Sequence, residues 1–155
     1  MPLDFAVFLS SSLVGGLVAG FVTLKNSERK IQIENVTQER AKWRDKIRIK
    51  SNEVHQATVD DNAAKLAELR LDFSLNLNPL DKEDHNILEV IADLKASENQ
   101  DTKLAEFSDR VALLLKHDWE RAKHEAKPWF FCCSPPKRKT YAEWLILCSG
   151  WTGTT

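Results

Sequence analysis

No glycine lies between residues 21 and 149. Phosphate loops and dinucleotide fingerprints depend on glycine for tight turns and close backbone approach, so this absence excludes both over that stretch. Proline is scarce too, at five residues, and a charge-rich chain without glycine reads as helix. The three cysteines, Cys132, Cys133 and Cys148, all fall in the last 24 residues. An odd count confined to a tail builds no disulfide framework and reads as reduced thiols; without a fourth ligand it builds no structural zinc site. No serine sits in a nucleophile-elbow context, and no pair of acids is marked out for proton transfer. His117, Glu120 and His124 converge on one helix face but lack His-Glu-x-x-His spacing, which reads as surface helix rather than metal site. We therefore expect no catalytic residue, no metal and no cofactor; the protein is not expected to be an enzyme.

Charge is missing from one further place. Residues Phe5 to Leu24 read FAVFLSSSLVGGLVAGFVTL and contain no Asp, Glu, Lys or Arg. Twenty helical residues rise about 30 Å, the thickness of a bilayer's hydrocarbon core. The polar residues in the run are Ser10, Ser11, Ser12 and Thr23, whose hydroxyls can bond back to their own helix. A signal peptide is the rival reading, but the Met-Pro-Leu-Asp start has no basic residue and Thr-Leu-Lys is a poor cleavage context. Lys25, Arg29 and Lys30 follow at once, so the positive-inside rule predicts a single-pass membrane protein with its N-terminus outside and its C-terminal domain cytoplasmic. Ser12, Gly16 and Gly20 share one ridge of this helix at four-residue spacing, a pattern that lets two backbones approach. That ridge predicts self-association into a homo-oligomer.

What is present beyond residue 24 is charge, unevenly placed. Residues 25–58 carry nine basic and five acidic side chains, residues 59–125 nine and sixteen, and the remainder four and one. In the basic segment apolar residues step by three or four through Ile33, Val36, Trp43, Ile47, Val54 and Ala57, interrupted at Arg40 and Lys50. Arg40, Arg44 and Arg48 flank the stripe on one side, Lys42, Lys46 and Lys50 on the other. Three arrangements suit this helix: packing on the domain that follows, a parallel coiled coil continuing the anchor, or a helix lying on the inner leaflet. Lys25, Arg29, Lys30, Arg40, Lys42, Trp43, Arg44, Lys46, Ile47 and Arg48 are the expected contacts to membrane lipid or to a cytoplasmic protein partner. Interleaved Glu39, Asp45 and Glu53 argue against nucleic acid, because they sit at pairing distance from the basic residues along the helix.

A short apolar N-terminal helix followed by Glu39-Arg40-Ala41-Lys42-Trp43-Arg44-Asp45-Lys46-Ile47-Arg48, and later by Asn78-Pro79-Leu80-Asp81, resembles a group of small, uncharacterised bacterial single-pass membrane proteins with a short helical cytoplasmic domain. The resemblance covers roughly residues 5 to 125. It implies this topology in a bacterial inner membrane, and it implies no activity. The segment after Lys127 lies outside it.

Residues 59–127 read as three helices. Asp61 or Asn62 caps the first, which carries Leu66, Leu69, Phe73 and Leu77 and stops at Asn78-Pro79. Asp81 caps the second, with Ile87, Leu88, Ile91 and Leu94 on one face, as far as about Ala96. Asp101 or Thr102 caps the third, with Leu104, Phe107, Val111, Leu114, Leu115, Trp119 and Ala122, as far as Ala126. The expected fold is all-α: a short outside tail (1–4), a transmembrane helix (5–24), a basic juxtamembrane helix (25–58), an acidic antiparallel bundle (59–127) and a poorly ordered tail rich in Pro, Trp and Cys (128–155). The expected role is a membrane-anchored, self-associating helical module that presents its bundle to a cytoplasmic protein, such as a membrane component of a stress or anti-phage system. A phage-type spanin or other lysis component would need the opposite topology. A membrane-perturbing effector would need many copies, since the anchor has no charge to form an ion path.

Overall fold

The computed structural model of the protein describes residues 3–95, 99–127 and 134–151, with backbone alone at 3–14, 29, 32, 33 and 151. Among the described residues it is all-helical: α1 (Leu3–Val59), α2 (Ala63–Ser74), α3 (Lys82–Asp93), α4 (Gln100–Ala126) and α5 (Tyr141–Trp151). The chain divides into two compact units, Met1–Glu39 and Arg40–Thr155.

In the first unit the side chains of Leu17, Val18, Phe21, Val22 and Leu24 are all exposed. Thr23 Oγ1 donates to the Ala19 carbonyl at 2.8 Å, the back-bond that reduces a hydroxyl's cost in apolar surroundings. Among the described residues no helix is long and apolar enough to cross a membrane. The side chains of residues 5–14, half of the expected span, lie outside the described residues, as do those of Arg29 and Ile33.

The second unit is a helical bundle, and its edge pairs give the register. The end of α1 runs against α2 with Trp43 beside Asn76, Lys50 beside Asp72 and Glu53 beside Lys65. It runs against α4 with Arg40 beside Glu125 and Arg44 beside Asp118. Glu83 with Arg110 and Asp93 with Lys103 relate α3 to α4. In each case rising numbers on one helix meet falling numbers on the other, so the neighbours are antiparallel. The core joins Ile47, Val54 and Ala57 of α1 to Leu66, Leu69, Phe73, Ile87, Ile91, Leu94, Phe107, Val111 and Leu114. Phe73 and Phe107 meet edge to face, centroids 5.7 Å apart.

Residues 40–59 belong to the bundle, because three-to-four spacing sets Ile47, Val54 and Ala57 on its core side. α1 ends in a Schellman motif: Asn62 N–H donates to the Ala57 carbonyl, Asp61 N–H to that of Thr58, and Asp61 takes φ 49°. Asn62 then caps α2, accepting from Lys65 N–H at 3.0 Å, so one residue closes a helix and opens the next. Asp81 caps α3 through Glu83 and Asp84 N–H. The last bundle helix starts at Gln100, ahead of the predicted caps, with Asp101 in its first turn.

Within residues 134–151 the chain forms α5. Thr140 and Glu143 form a reciprocal capping box, Glu143 N–H to Thr140 Oγ1 at 3.2 Å and Thr140 N–H to Glu143 Oε2 at 2.9 Å, which opens α5. Arg138 of this arm pairs with Asp81 and Asp84 at the start of α3, and Tyr141 N–H donates to Glu83, which ties the arm to the bundle.

Candidate functional site

The expected lipid or partner contacts separate into two sets. Ile47 is 1% exposed and part of the core. Trp43 is half-buried, its indole N–H donating to the Asn76 carbonyl at 3.0 Å. Arg44 is buried, with Nη1 2.8 Å from Asp118 and its guanidinium 5.7 Å from the Trp119 ring centroid. Arg40 reaches Glu125 at 2.8 Å and Asp118 at 3.8 Å. These four side chains make contacts within the bundle. Arg40 and Lys50, the two interruptions of the apolar stripe, stand where α4 and α2 supply carboxylates. Lys25, Lys30, Lys42, Lys46 and Arg48 stay exposed, with Lys25 3.7 Å from Glu28 and Arg48 2.8 Å from Asp45. In the first unit, a Cβ built on Gly16 or Gly20 would meet no atom within 4 Å. The Ser12 side chain lies outside the described residues.

A second constellation was not foreseen. Asp84, at the start of α3, is 5% exposed. It accepts from Arg138 on Oδ1 and from Asn78 N–H on Oδ2 at 2.8 Å. Arg138 also lies 3.1 Å from Asp81. The neighbouring Glu83 takes Arg110 at 3.2 Å and Tyr141 N–H at 3.3 Å, and the Arg110 guanidinium stands 4.4 Å from the Tyr141 ring centroid. The Asn78-Pro79-Leu80-Asp81 turn, the start of α3 and the C-terminal arm are thus joined by buried charge-assisted bonds. Beside them opens a cleft of about 240 Å³ lined by Trp43, His117, Asp118, Arg121, Arg138 and others. Within the arm, α5 leaves Leu145, Ile146 and Leu147 exposed.

Three carboxylate pairings have a consequence for acid stability. The hydrogen bond from Lys50 holds the Asp72 carboxyl below the usual carboxylate range. Burial alone would raise Glu125, but hydrogen bonds from Arg40 and Arg121 outweigh it and hold that carboxyl low. Lys50 is raised in turn by its bonds to Asp72 and Glu53. A depressed carboxyl contributes stability above its unfolded-state pKa of about 4, and the contribution disappears as pH falls through the lower folded value. A raised lysine contributes until pH climbs through its folded value. Stability should thus decline at both extremes, and Asp72→Asn should flatten the acid limb when the melting temperature is followed against pH. An acid limb identical to that of the unsubstituted chain would contradict the assignment.

Among the described residues no group of three or more His, Cys, Asp or Glu is placed to hold a metal ion. His85 is exposed beside Glu89, 3.3 Å away, and Cys148 is a half-buried free thiol. Cys132 and Cys133 lie outside the described residues. The chain matches no family model, no curated protein and no solved structure among those with which it was compared.

Proposed function

We propose that this protein is a membrane-anchored helical interaction module, held by the helix at residues 5–24 and presenting the bundle at residues 40–151 to a cytoplasmic protein. The observation that carries the reading is the exposed row Leu17, Val18, Phe21, Val22 and Leu24, on a charge-free stretch of α1 without protein cover. Large apolar side chains of this kind gain about 1.5–3 kcal/mol each when removed from water, so such a row calls for a bilayer or a partner around it. Lys25 at the boundary favours a bilayer, with the basic end on the cytoplasmic side. Val18, Phe21 and Val22 face away from Gly16 and Gly20, so lipid would meet that face and a second copy the glycine ridge, which Leu24 continues. The likeness to small bacterial single-pass proteins agrees with this topology and adds no activity. The capacity to bind a protein rests on α5, whose Leu145, Ile146 and Leu147 stay exposed on a helix with one charged residue, Glu143.

Reporter fusions after Lys30 and after Lys127 test the topology. Cytoplasmic fluorescence at both points, without periplasmic phosphatase activity, is expected. Periplasmic activity at both would place the bundle outside the inner membrane and favour the spanin reading. For self-association, Gly16→Ile with Gly20→Ile should remove cross-linked dimers from membranes at unchanged protein level. Unaltered cross-linking would take this ridge out of the account.

A further inference from the structure

We propose that α5 docks on the anionic surface of a bilayer, with Lys137 and Lys139 at the lipid headgroups and Leu145, Ile146 and Leu147 among the upper acyl chains. The inference rests on the proposed anchor, which brings a bilayer to this chain. It also adds a control to the surface that a protein partner would use: lipid covers α5 while no partner does.

One face of α5 is already occupied. Tyr141, Trp144 and Cys148 are half-buried, and their spacing of three and four residues sets them on one side of the helix. On that side the Arg110 guanidinium lies 4.4 Å from the Tyr141 ring centroid. Ile146, at the middle of the opposite face, is 71% exposed, with Leu145 and Leu147 exposed on its flanks. Three neighbouring aliphatic side chains in water call for cover. The bundle supplies none, since no residue of the arm belongs to its core. At eleven residues α5 is too short to span a bilayer, so it would lie along the surface.

Charge and position identify the cover. Lys137 and Lys139 are exposed just ahead of α5, while Arg138 between them is paired with Asp81 and Asp84. The one acid of α5, Glu143, accepts from Thr140 N–H at 2.9 Å in the capping box. An apolar face preceded by exposed lysines is a combination that binds anionic lipid. The arm also joins the bundle at a telling end. Arg40 begins this unit, and only residues 25–39 separate it from the proposed anchor. Arg40, Trp43 and Arg138 line one cleft, with Glu125 paired to Arg40 and Asn76 to Trp43. The arm is therefore fastened at the end of the bundle where the chain arrives from the anchor.

The test uses the full chain reconstituted in phosphatidylcholine vesicles with or without phosphatidylglycerol. Cys132, Cys133 and Cys148 are replaced by serine. A nitrobenzoxadiazole label is attached through Ile146→Cys or, as a control, through Glu89→Cys, an exposed position on α3. Flotation with the vesicles reads the anchor, and quenching of the label by spin-labelled lipid reads α5. With phosphatidylglycerol present, quenching at the Ile146→Cys label should exceed that at the control by about threefold or more. Lys137→Gln with Lys139→Gln should lower it about threefold, at unchanged helix content by circular dichroism. A chain that floats but shows equal quenching at the two labels would overturn the docking and leave the anchor standing. A chain that does not float would overturn both. Quenching that is the same without phosphatidylglycerol would overturn the assignment to an anionic surface. A blue-shifted label that lipid does not quench would mean that protein covers α5, and would overturn the proposal.

Discussion

Asp118→Ala is expected to destabilise the bundle by about 3 kcal/mol, because it leaves buried positive charge without its partner. Arg44 is buried and its Nη1 lies 2.8 Å from Asp118. Arg40 approaches the same carboxylate at 3.8 Å. The Asp118 side chain is 15% exposed, so water cannot fully replace the lost carboxylate. The double variant Arg44→Met with Asp118→Leu should lose much less, since a buried ion pair exchanged for apolar side chains of similar size is often neutral. Denaturant unfolding followed by circular dichroism, in a mild detergent, reads both. A loss below about 1 kcal/mol for Asp118→Ala is the range of exposed pairs, and would show Arg44 to be solvated.

Phe73→Ala is expected to cost about 4 kcal/mol, in the range measured for large aromatic truncations in well-packed cores. Phe73 is 1% exposed and sits where α2 meets α4, with its ring edge to face against Phe107. Leu69 and Ile87, both fully buried, belong to the same core. Around such a site the walls can close only partly on the space left behind, so a cavity term adds to the lost transfer free energy. Leu71→Ala offers the contrast: Leu71 is on the same helix but 61% exposed, and its loss should stay near the surface range of about 0.5 kcal/mol. Similar costs for the two variants in denaturant unfolding would mean that the α2 face assignment is wrong.

The helices and their inner faces were legible in the sequence because they follow local rules. Leu66, Leu69 and Phe73 recur at helical spacing, Asn62 and Asp81 are capping residues in place, and Pro79 separates α2 from α3. What the sequence hid depends on residues distant along the chain. Trp43, Arg44 and Ile47 read locally as part of a basic amphipathic helix; their partners Asn76, Asp118 and the core lie far along the chain. The basic interruptions Arg40 and Lys50 were a usable hint, because a basic side chain on an apolar stripe, followed by an acidic segment, suggests pairing across helices. A second hint was purely local and was passed over: Thr140-x-x-Glu143 is a capping box, and it marks the start of α5 inside a tail that reads as unstructured by composition. The cleft had no local signature. It needs Trp43, His117 and Arg138 from three parts of the chain.

Alkaline carbonate extraction of membranes from bacteria expressing the full chain tests the proposal that residues 5–24 hold it in a bilayer. The chain is expected to stay in the membrane pellet, while a version lacking the first 24 residues moves to the supernatant. Recovery of the full chain in the carbonate supernatant would contradict it.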